Sequence, residues 1–320
     1  MSEFEAIRVN AAEYRKWVTS DVLDFPGSAF YHPDFLENAA RVLGLDFQPL
    51  LCFSAGRELT GIANLLEGGR FGVRTCTIPR LFQYYGPVAF CDGQVTLDKL
   101  LEEIARTADT AVFSLTPEQS AIYGDSAWNR ESRLTYYLKP DRYNVLRKHS
   151  FKNVKRRSNR ATKAGVQFQR SSSFLYGLYE ASFERQRRRP PVGERQLTDW
   201  VQTLMDLELA ETYVAVAEAK PAAFLTILHS GRYACSWLSG ALPDYLHLGV
   251  NNFVLLKTGE ELYTKGVDTW DLVGGDVRSI GEFKRSFGAE PRLHLQLERS
   301  FNLKGRIYRS LMKLRAGLDA

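Results

Sequence analysis

Basic side chains at helical spacing are the first candidates for a binding or catalytic role in this sequence. Nine Lys or Arg residues and no Asp or Glu lie between Arg147 and Arg170. Residues three to four positions apart share one face of a helix, so this run predicts a positive stripe. Its members are Lys152, Lys155, Arg156, Arg160 and Lys163. Such a stripe suits the phosphates of a donor, an acidic acceptor such as a nucleotide-sugar, or tRNA, and a solvated helix face is the alternative.

A second basic cluster ends at Pro190-Pro191, where the chain is expected to form a loop beside the acceptor. It comprises Arg185, Arg187, Arg188 and Arg189. We single out Arg185 as a phosphate- or acceptor-binding residue.

Asp271 is a candidate general base, or a group that orients an acceptor amine. It lies in a predicted strand, Thr269 to Val273, just before Gly274 and Gly275. Alternation in a strand points Asp271 to the face opposite Trp270. An acid before a Gly-Gly turn also commonly stabilises the turn itself, so that role stays open.

A helix is predicted from Val250 to Tyr263, directly after Gly249. Asn251 or Asn252 is a candidate N-cap residue. Because the first N–H groups of a helix are free and its dipole favours anions, this helix start is a candidate anion site.

The elements around these residues alternate between helix and strand. Apolar residues between Leu197 and Met205 recur at helical spacing, and strands are predicted at 213–217, 222–228 and 233–238. With the helix from Val250 and the strand from Thr269, this order is typical of an α/β layer arrangement.

The first half of the chain shows a related pattern. It predicts a hairpin from strands at 50–53 and 61–66, a helix around 97–105 and a strand at 111–115. Residues 65–71 also align with 227–233 at an offset of 162, which indicates a duplication. Since 116–129 lacks periodicity, we predict domains at 1–130 and 131–300 and a separate terminal helix at 301–320.

Composition limits the remaining function classes. The chain has 320 residues, 44% of them hydrophobic, and a net charge of +5. Neither a secretory signal nor a stretch near the roughly 20 apolar residues of a membrane span is present, so a cytoplasmic protein is expected. The four Cys and five His residues show no ligand spacing, so no metal site is expected.

The terminal segment, Phe301 to Leu314, predicts a basic amphipathic helix. Leu303, Ile307, Leu311 and Leu314 fall on one face. The helix is expected to dock on the protein's own body or, alternatively, to lie on an anionic membrane at its inner, cytoplasmic side.

Several motifs along the chain resemble one known family. They are Phe30-Tyr31-His32-Pro33-Asp34-Phe35-Leu36, Tyr84-Tyr85-Gly86-Pro87, the basic segment from Lys152, Trp270-Asp271-Leu272-Val273-Gly274-Gly275, and the run from Ile280-Gly281-Glu282-Phe283-Lys284 to Glu290. Together they resemble the FemAB-like branch of the GNAT acyltransferase superfamily over nearly the whole chain. The resemblance implies two tandem GNAT-like α/β domains, each a mixed, mostly antiparallel sheet flanked by helices.

The resemblance also implies functional residues. Lys284 corresponds to a lysine that the branch's peptidyltransferases place near the transferring ester, where it would stabilise negative charge, and Phe283 would help bind the donor. The superfamily's CoA loop, Q/R-x-x-G-x-G/A, corresponds to the segment from Leu246 to Asn252, in which Gly249, Asn251 and Asn252 would bind the donor. That segment keeps a single glycine and lacks the leading Gln or Arg.

The resemblance leaves the donor and the acceptor open. Acyl-CoA and aminoacyl-tRNA both serve as co-substrates in this branch, and the expected acceptor is an amine or hydroxyl of a small-molecule or lipid-linked cell-envelope or exopolysaccharide precursor. Of these possibilities, we expect N- or O-acyl transfer with acyl-CoA as the donor. The alternatives are aminoacyl-tRNA-dependent peptidyltransfer to a peptidoglycan precursor and a non-catalytic nucleic-acid-binding protein.

Overall fold

The computed structural model describes residues 4–70, 72–124, 127–139 and 152–318. The chain divides into two compact units, each built from separate stretches of sequence. The first contains Met1–Val22, Phe30–Arg133 and Leu293–Ala320, and the second contains Leu23–Ala29 and Leu134–Arg292. The predicted domains divided the chain at residues 130 and 300. In the structure most of the last strand, and the terminal helix, belong to the first unit.

The elements are numbered here in chain order. Up to residue 138 they are β1 (Phe4–Arg8), α1 (Ala11–Trp17), α2 (Pro33–Leu43), β2 (Asp46–Phe47), β3 (Leu50–Ser54), β4 (Leu59–Ala63), β5 (Leu66–Arg70), β6 (Val73–Thr77), β7 (Pro87–Ala89), α3 (Gly93–Thr107), β8 (Thr110–Ser114), α4 (Pro117–Ile122) and β9 (Asn129–Leu138). From residue 152 they are α5 (Lys152–Lys163), β10 (Gln167–Ser171), α6 (Tyr176–Glu184), α7 (Glu194–Asp206), β11 (Ala210–Ala217), β12 (Lys220–Ser230), β13 (Tyr233–Ala241), α8 (Val250–Thr264), β14 (Thr269–Asp271), α9 (Arg278–Arg285), β15 (Glu290–Ser300) and α10 (Leu303–Leu318).

The second unit is organised by a sheet in which β10, β11, β12 and β13 pair in sequence order and antiparallel. The chain then crosses over through α8, and β14 pairs parallel to β13. Parallel neighbours require such a crossover, which explains why a long helix separates them. The C-terminal end of β9 pairs antiparallel with β14.

The first unit repeats part of this arrangement, with its strands divided between two sheets. β3 pairs with β4 and β5 with β6, both antiparallel, and β6 pairs parallel with β8 across the helix α3. Residues Gln296–Ser300 of β15 then pair antiparallel with β8. Both units therefore have the same strand, helix and parallel-strand sequence, as the duplication predicted.

The structure corrects two element predictions in this unit. The strand predicted at 61–66 is two strands, because Asn64 leaves the ladder and its side chain bonds the carbonyl of Phe30 and the N–H of Gly86. The segment 116–129, predicted to be irregular, contains α4, whose N-terminus is capped by Thr116. Within the repeat comparison, Phe71 lies outside the described residues.

The core of the second unit lies between the sheet and the helices α5 and α8. Val154 and Ala161 of α5 pack with Phe253 and Leu262 of α8 and with Trp270 of β14. Because α5 buries only the narrow stripe that includes Val154, Ser158 and Ala161, its basic side chains remain on the exposed faces.

Candidate active site

A cavity opens where strands β13 and β14 separate. The two strands pair only from Tyr233 to Cys235, opposite Thr269 to Asp271. Beyond that point β13 continues to Ala241, whereas the chain after β14 turns away. The space between them is a cavity of about 500 Å³. Its walls come from β13, the turn at 272–277, the first turns of α8, the end of α6 and one face of α9.

Lys284 supplies a buried cation to this cavity. Its side chain reaches the cavity wall from α9, only 9% of the residue is exposed, and Nζ donates a hydrogen bond to the carbonyl of Gly274. The ammonium also lies 6.0 Å from the centre of the Tyr136 ring. Burial lowers the pKa of Lys284 to about 8, although the negative charge of Asp271 opposes that shift. A proton on this group is therefore readily exchanged near neutral pH.

The side chain of Tyr136 leaves no room for a Cβ at residues 275 and 281, which explains why both are glycines. Val273 and Gly274 adopt positive φ angles of 40° and 52°, and they form the turn that brings the Gly274 carbonyl to Lys284. A Cβ at Gly275 would collide with the Tyr136 ring, and one at Gly281 would lie 2.6 Å from the Tyr136 hydroxyl. The glycines thus let this turn and α9 close around one tyrosine.

Asp271 lies behind the cavity wall and does not line the cavity. It is 1% exposed, and its Oδ1 accepts hydrogen bonds from Thr135 Oγ1 at 2.5 Å and from the Val273 N–H at 2.8 Å. This position fits the turn-stabilising alternative. The carboxylate that lines the cavity is Asp276, which accepts a bond from the Leu134 N–H at 2.9 Å and which the sequence analysis missed.

The predicted donor-binding residues divide between two positions. Asn251 and Phe283 line the cavity, whereas Asn252 is buried in the first turn of α8. Neither asparagine is the predicted N-cap residue, because Gly249 takes that position. Gly249 precedes α8 with a φ of 82°, and a Cβ there would lie 2.7 Å from the Arg157 carbonyl of α5. Glycine at this position lets the start of α8 approach the backbone of α5 closely.

The predicted basic residues also divide. Arg185 lines the same cavity as Lys284. The stripe on α5 lies around a separate shallow depression of about 490 Å³, lined by Lys155, Arg156, Asn159, Arg160 and Lys163. Arg160 donates to the carbonyl of His247 at 2.9 Å, just before α8. The side chain of Lys152 lies outside the described part of the chain.

A bulge in β13 forms another feature that the sequence did not indicate. The register of β12 and β13 shifts so that Thr226 faces Leu238 while Ile227 faces Ser236, which leaves Trp237 as the extra residue. Bulges re-aim side chains and strengthen local twist. Trp237 lines the cavity, and Ser236 is held by a 3.0 Å bond from Trp270 Nε1.

A polar cluster on strands β11 and β12 does not line this cavity. The Glu211 carboxylate is bonded by His229 at 3.2 Å, by Lys265 and by the Tyr213 hydroxyl at 2.5 Å, and Arg170 lies within 3.2 Å. Burial alone would raise the pKa of Glu211, but these bonds outweigh it and hold the pKa far below its usual value.

Two features are absent from the described residues. No helix there is both long and apolar enough to cross a bilayer. The same residues contain no group of three or more His, Cys, Asp or Glu side chains that could hold a metal ion.

Comparison with known families matches residues 148–285 to the acetyltransferase (GNAT) domain. Every residue that lines the cavity, from Ser182 to Lys284, falls within this range. No curated protein sequence matches the chain.

Solved structures resemble the chain over most of its length. The crystal structure of FemX is 10% identical with a TM-score of 0.69, covering 95% of this chain and 99% of that one. The C-terminal domain of a protein named as a lysylphosphatidylglycerol synthetase, from Agrobacterium fabrum, is 13% identical with a TM-score of 0.61, covering 90% and 92%. A tandem GNAT protein from the clavulanic acid biosynthesis pathway is 12% identical with a TM-score of 0.59, covering 94% and 99%.

These likenesses concern the fold. Residues 148–285 match the GNAT acetyltransferase domain, and the chain has the tandem GNAT fold that these solved structures share.

Proposed function

We propose that this protein transfers an acyl group from acyl-CoA to an amine or hydroxyl of a cell-envelope or polysaccharide precursor, in the cavity between β13 and β14. The observation that carries the proposal is the buried ammonium of Lys284 on the wall of that cavity, inside the matched GNAT domain. A cation held out of water stabilises developing negative charge far better than one in solvent does.

The cavity walls suit the narrow part of an acyl thioester. They include Phe183, Phe224, Trp237, Leu238 and Val254, which favour a pantetheine arm and an acyl chain over a charged group. The first turn of α8 borders the same cavity through Asn251, and the first N–H groups of a helix, which have no partner within it, favour an anion. Arg185 offers a second positive group for a phosphate.

The reaction requires one bond to form and one to break. The acceptor nitrogen or oxygen attacks the thioester carbonyl, the carbonyl oxygen gains negative charge, and the C–S bond then breaks. Beyond Cys235 the edge of β13 is no longer paired with β14, so alternate N–H groups on that edge face the cavity and can bind the oxyanion together with Lys284.

The leaving thiolate must take a proton. The pKa of Lys284 is about 8, close to the value of about 8.5 for a free cysteine thiol, so its ammonium can protonate the thiolate at little cost. The acceptor loses one proton during attack, and Asp276 is the carboxylate on the cavity wall that can receive it. In this scheme Asp271 acts through the turn that it holds.

Aminoacyl-tRNA-dependent peptidyltransfer is the second candidate, because the α5 depression is lined by four cations and no acid. Such a surface binds phosphates in a salt-dependent way. The same surface would serve a non-catalytic nucleic-acid-binding protein, for which Lys284 would have no role.

The test is to measure the affinity of the purified protein for acetyl-CoA and for aminoacylated tRNA across a salt series. Ser239→Trp fills the cavity, and Ser172→Trp is a matched change on an exposed loop. We expect acetyl-CoA binding that Ser239→Trp abolishes and Ser172→Trp preserves, followed by thiol release when amine or hydroxyl acceptors are added. Tight tRNA binding lost in Lys155→Gln/Arg156→Gln, without acetyl-CoA binding, contradicts the proposal, and so does binding of neither compound.

A further inference from the structure

The terminal helix α10 turns its apolar face to solvent. Leu303, Ile307, Leu311 and Leu314 lie on one side of the helix, and between 54% and 71% of each residue is exposed. The sequence predicts this helix and this stripe. In the structure the helix docks on the first unit, but the stripe does not face that contact.

The helix is nevertheless firmly attached to the first unit through its opposite side. Gly305 is buried there, and a Cβ at this position would collide with the Asp109 carbonyl. Arg309 makes two bonds to Glu298, at 3.1 and 2.6 Å, and Lys304 donates to the carbonyl of Gly72.

The attachment continues at the start of the helix. Asn302 donates to the Asp109 carboxylate at 2.7 Å and accepts from the Gly305 N–H at 2.9 Å. An amphipathic helix on a globular protein normally buries its apolar stripe. Here a glycine contact and polar bonds hold the helix in the reverse orientation, so its apolar surface is left for an external apolar phase.

The charges on α10 identify that phase. The helix carries five basic residues and no acid between Leu303 and Leu318: Lys304, Arg306, Arg309, Lys313 and Arg315. At 100° per residue, Lys304 borders the stripe on one side, and Arg306 and Lys313 border it on the other. An apolar stripe with cationic borders matches the acyl boundary and anionic headgroups of a membrane surface.

We propose that α10 binds the surface of an anionic phospholipid membrane, with Leu303, Ile307, Leu311 and Leu314 inserted among the acyl chains. A second copy of this chain fits less well, because two such helices would bring the cationic borders of their stripes, Arg306 among them, against one another. The proposal is independent of the proposed acyl transfer.

The test uses the full-length protein and sedimentation with vesicles of phosphatidylcholine alone or mixed with phosphatidylglycerol. We expect binding to the anionic vesicles that weakens as salt is raised. Ile307→Ser/Leu311→Ser should lower it by about tenfold or more, because each change removes an apolar side chain from the inserted face. Arg306→Gln should lower it by about fivefold.

The matched control is Val95→Ser/Leu207→Ser, which changes two apolar residues that are equally exposed, at 46% each, and lie outside α10. It should bind like the wild type. The α10 variant should keep the wild-type melting temperature and acetyl-CoA affinity. Absence of binding to anionic vesicles at low salt, or equal binding by the α10 variant, overturns the proposal. So does a dimer, seen by light scattering without vesicles, that this variant converts to monomer.

Discussion

The Lys284 ammonium donates a hydrogen bond to the carbonyl of Gly274, ten residues earlier in the chain, and so fastens α9 to the turn that follows β14. This one hydrogen bond therefore holds the cavity wall and places a positive charge on it. Substitutions at residue 284 that keep or remove the charge distinguish the electrostatic contribution of Lys284 from its structural one.

The activity of the wild-type enzyme should fall as the pH rises through about 8, since the Lys284 ammonium is lost above its pKa. Lys284→Arg keeps a cation at every accessible pH, so its pH profile should lack this falling limb even if its rate is lower. Lys284→Met should lose about 100-fold or more in kcat below about pH 8, and this deficit relative to the wild type should shrink as the pH rises further. The measurement is thiol release from acetyl-CoA across pH. If Lys284→Arg also lost activity as the pH rose through about 8, the titrating group would be a residue other than Lys284.

Gly249→Ala should destabilise the protein because the new Cβ would meet the Arg157 carbonyl and because φ is positive. Gly266→Ala is the matched control, with a φ of 75° and no atom within 4 Å. We expect a loss of about 1 kcal/mol in the free energy of unfolding for Gly266→Ala and about 3 kcal/mol for Gly249→Ala. Urea unfolding measures both, and equal losses would exclude the close approach of the two backbones.

Arg185→Gln should weaken acetyl-CoA binding by about tenfold, which is the contribution of one charge-assisted hydrogen bond. Arg189→Gln removes the same charge from the same basic cluster at a position that does not line the cavity. Its affinity, measured by calorimetry, should stay within about twofold of the wild type. Equal effects of the two substitutions would indicate general electrostatic attraction.

Glu211→Gln should lower the free energy of unfolding by about 2 kcal/mol at about pH 7, because Lys265 and Arg170 lose their shared carboxylate. The folded-state pKa of Glu211 lies below the ordinary 4.5. Its stabilisation is therefore present above 4.5 and is lost as the pH falls. The free energies of unfolding of the wild type and the variant, measured with urea, should therefore converge as the pH is lowered towards about 3. The exposed Glu184→Gln should differ little from wild type at either pH, and a constant difference for Glu211→Gln would contradict the assignment.

Much of the second unit could be predicted from the sequence, because its elements have strong local patterns. The helix from Val250 and the strands at 213–217, 222–228 and 233–238 are all present, within a few residues of their predicted ends. The strand break at Asn64 could not be predicted, since it depends on bonds to Phe30 and Gly86, which are distant in the sequence.

The site shows the same division between local and distant signals. Lys284 was found through a local motif, and the structure places it on the cavity with Phe283 and Asn251. Tyr136 was missed because its contacts with Gly275 and Gly281 span about half of the chain. Asp271 was predicted from strand alternation, which gives the direction of a side chain and not what lies in front of it.

The pairing of β15 with β8 has a consequence for synthesis. β8 is complete at Ser114, but its antiparallel neighbour is formed by Gln296–Ser300. While the ribosome is translating the intervening codons, that edge of β8 has no native partner, and an open strand edge promotes aggregation. The unit whose synthesis begins first therefore finishes folding last, after the nascent chain has delivered β15 and α10, and a product truncated after residue 285 would leave it incomplete.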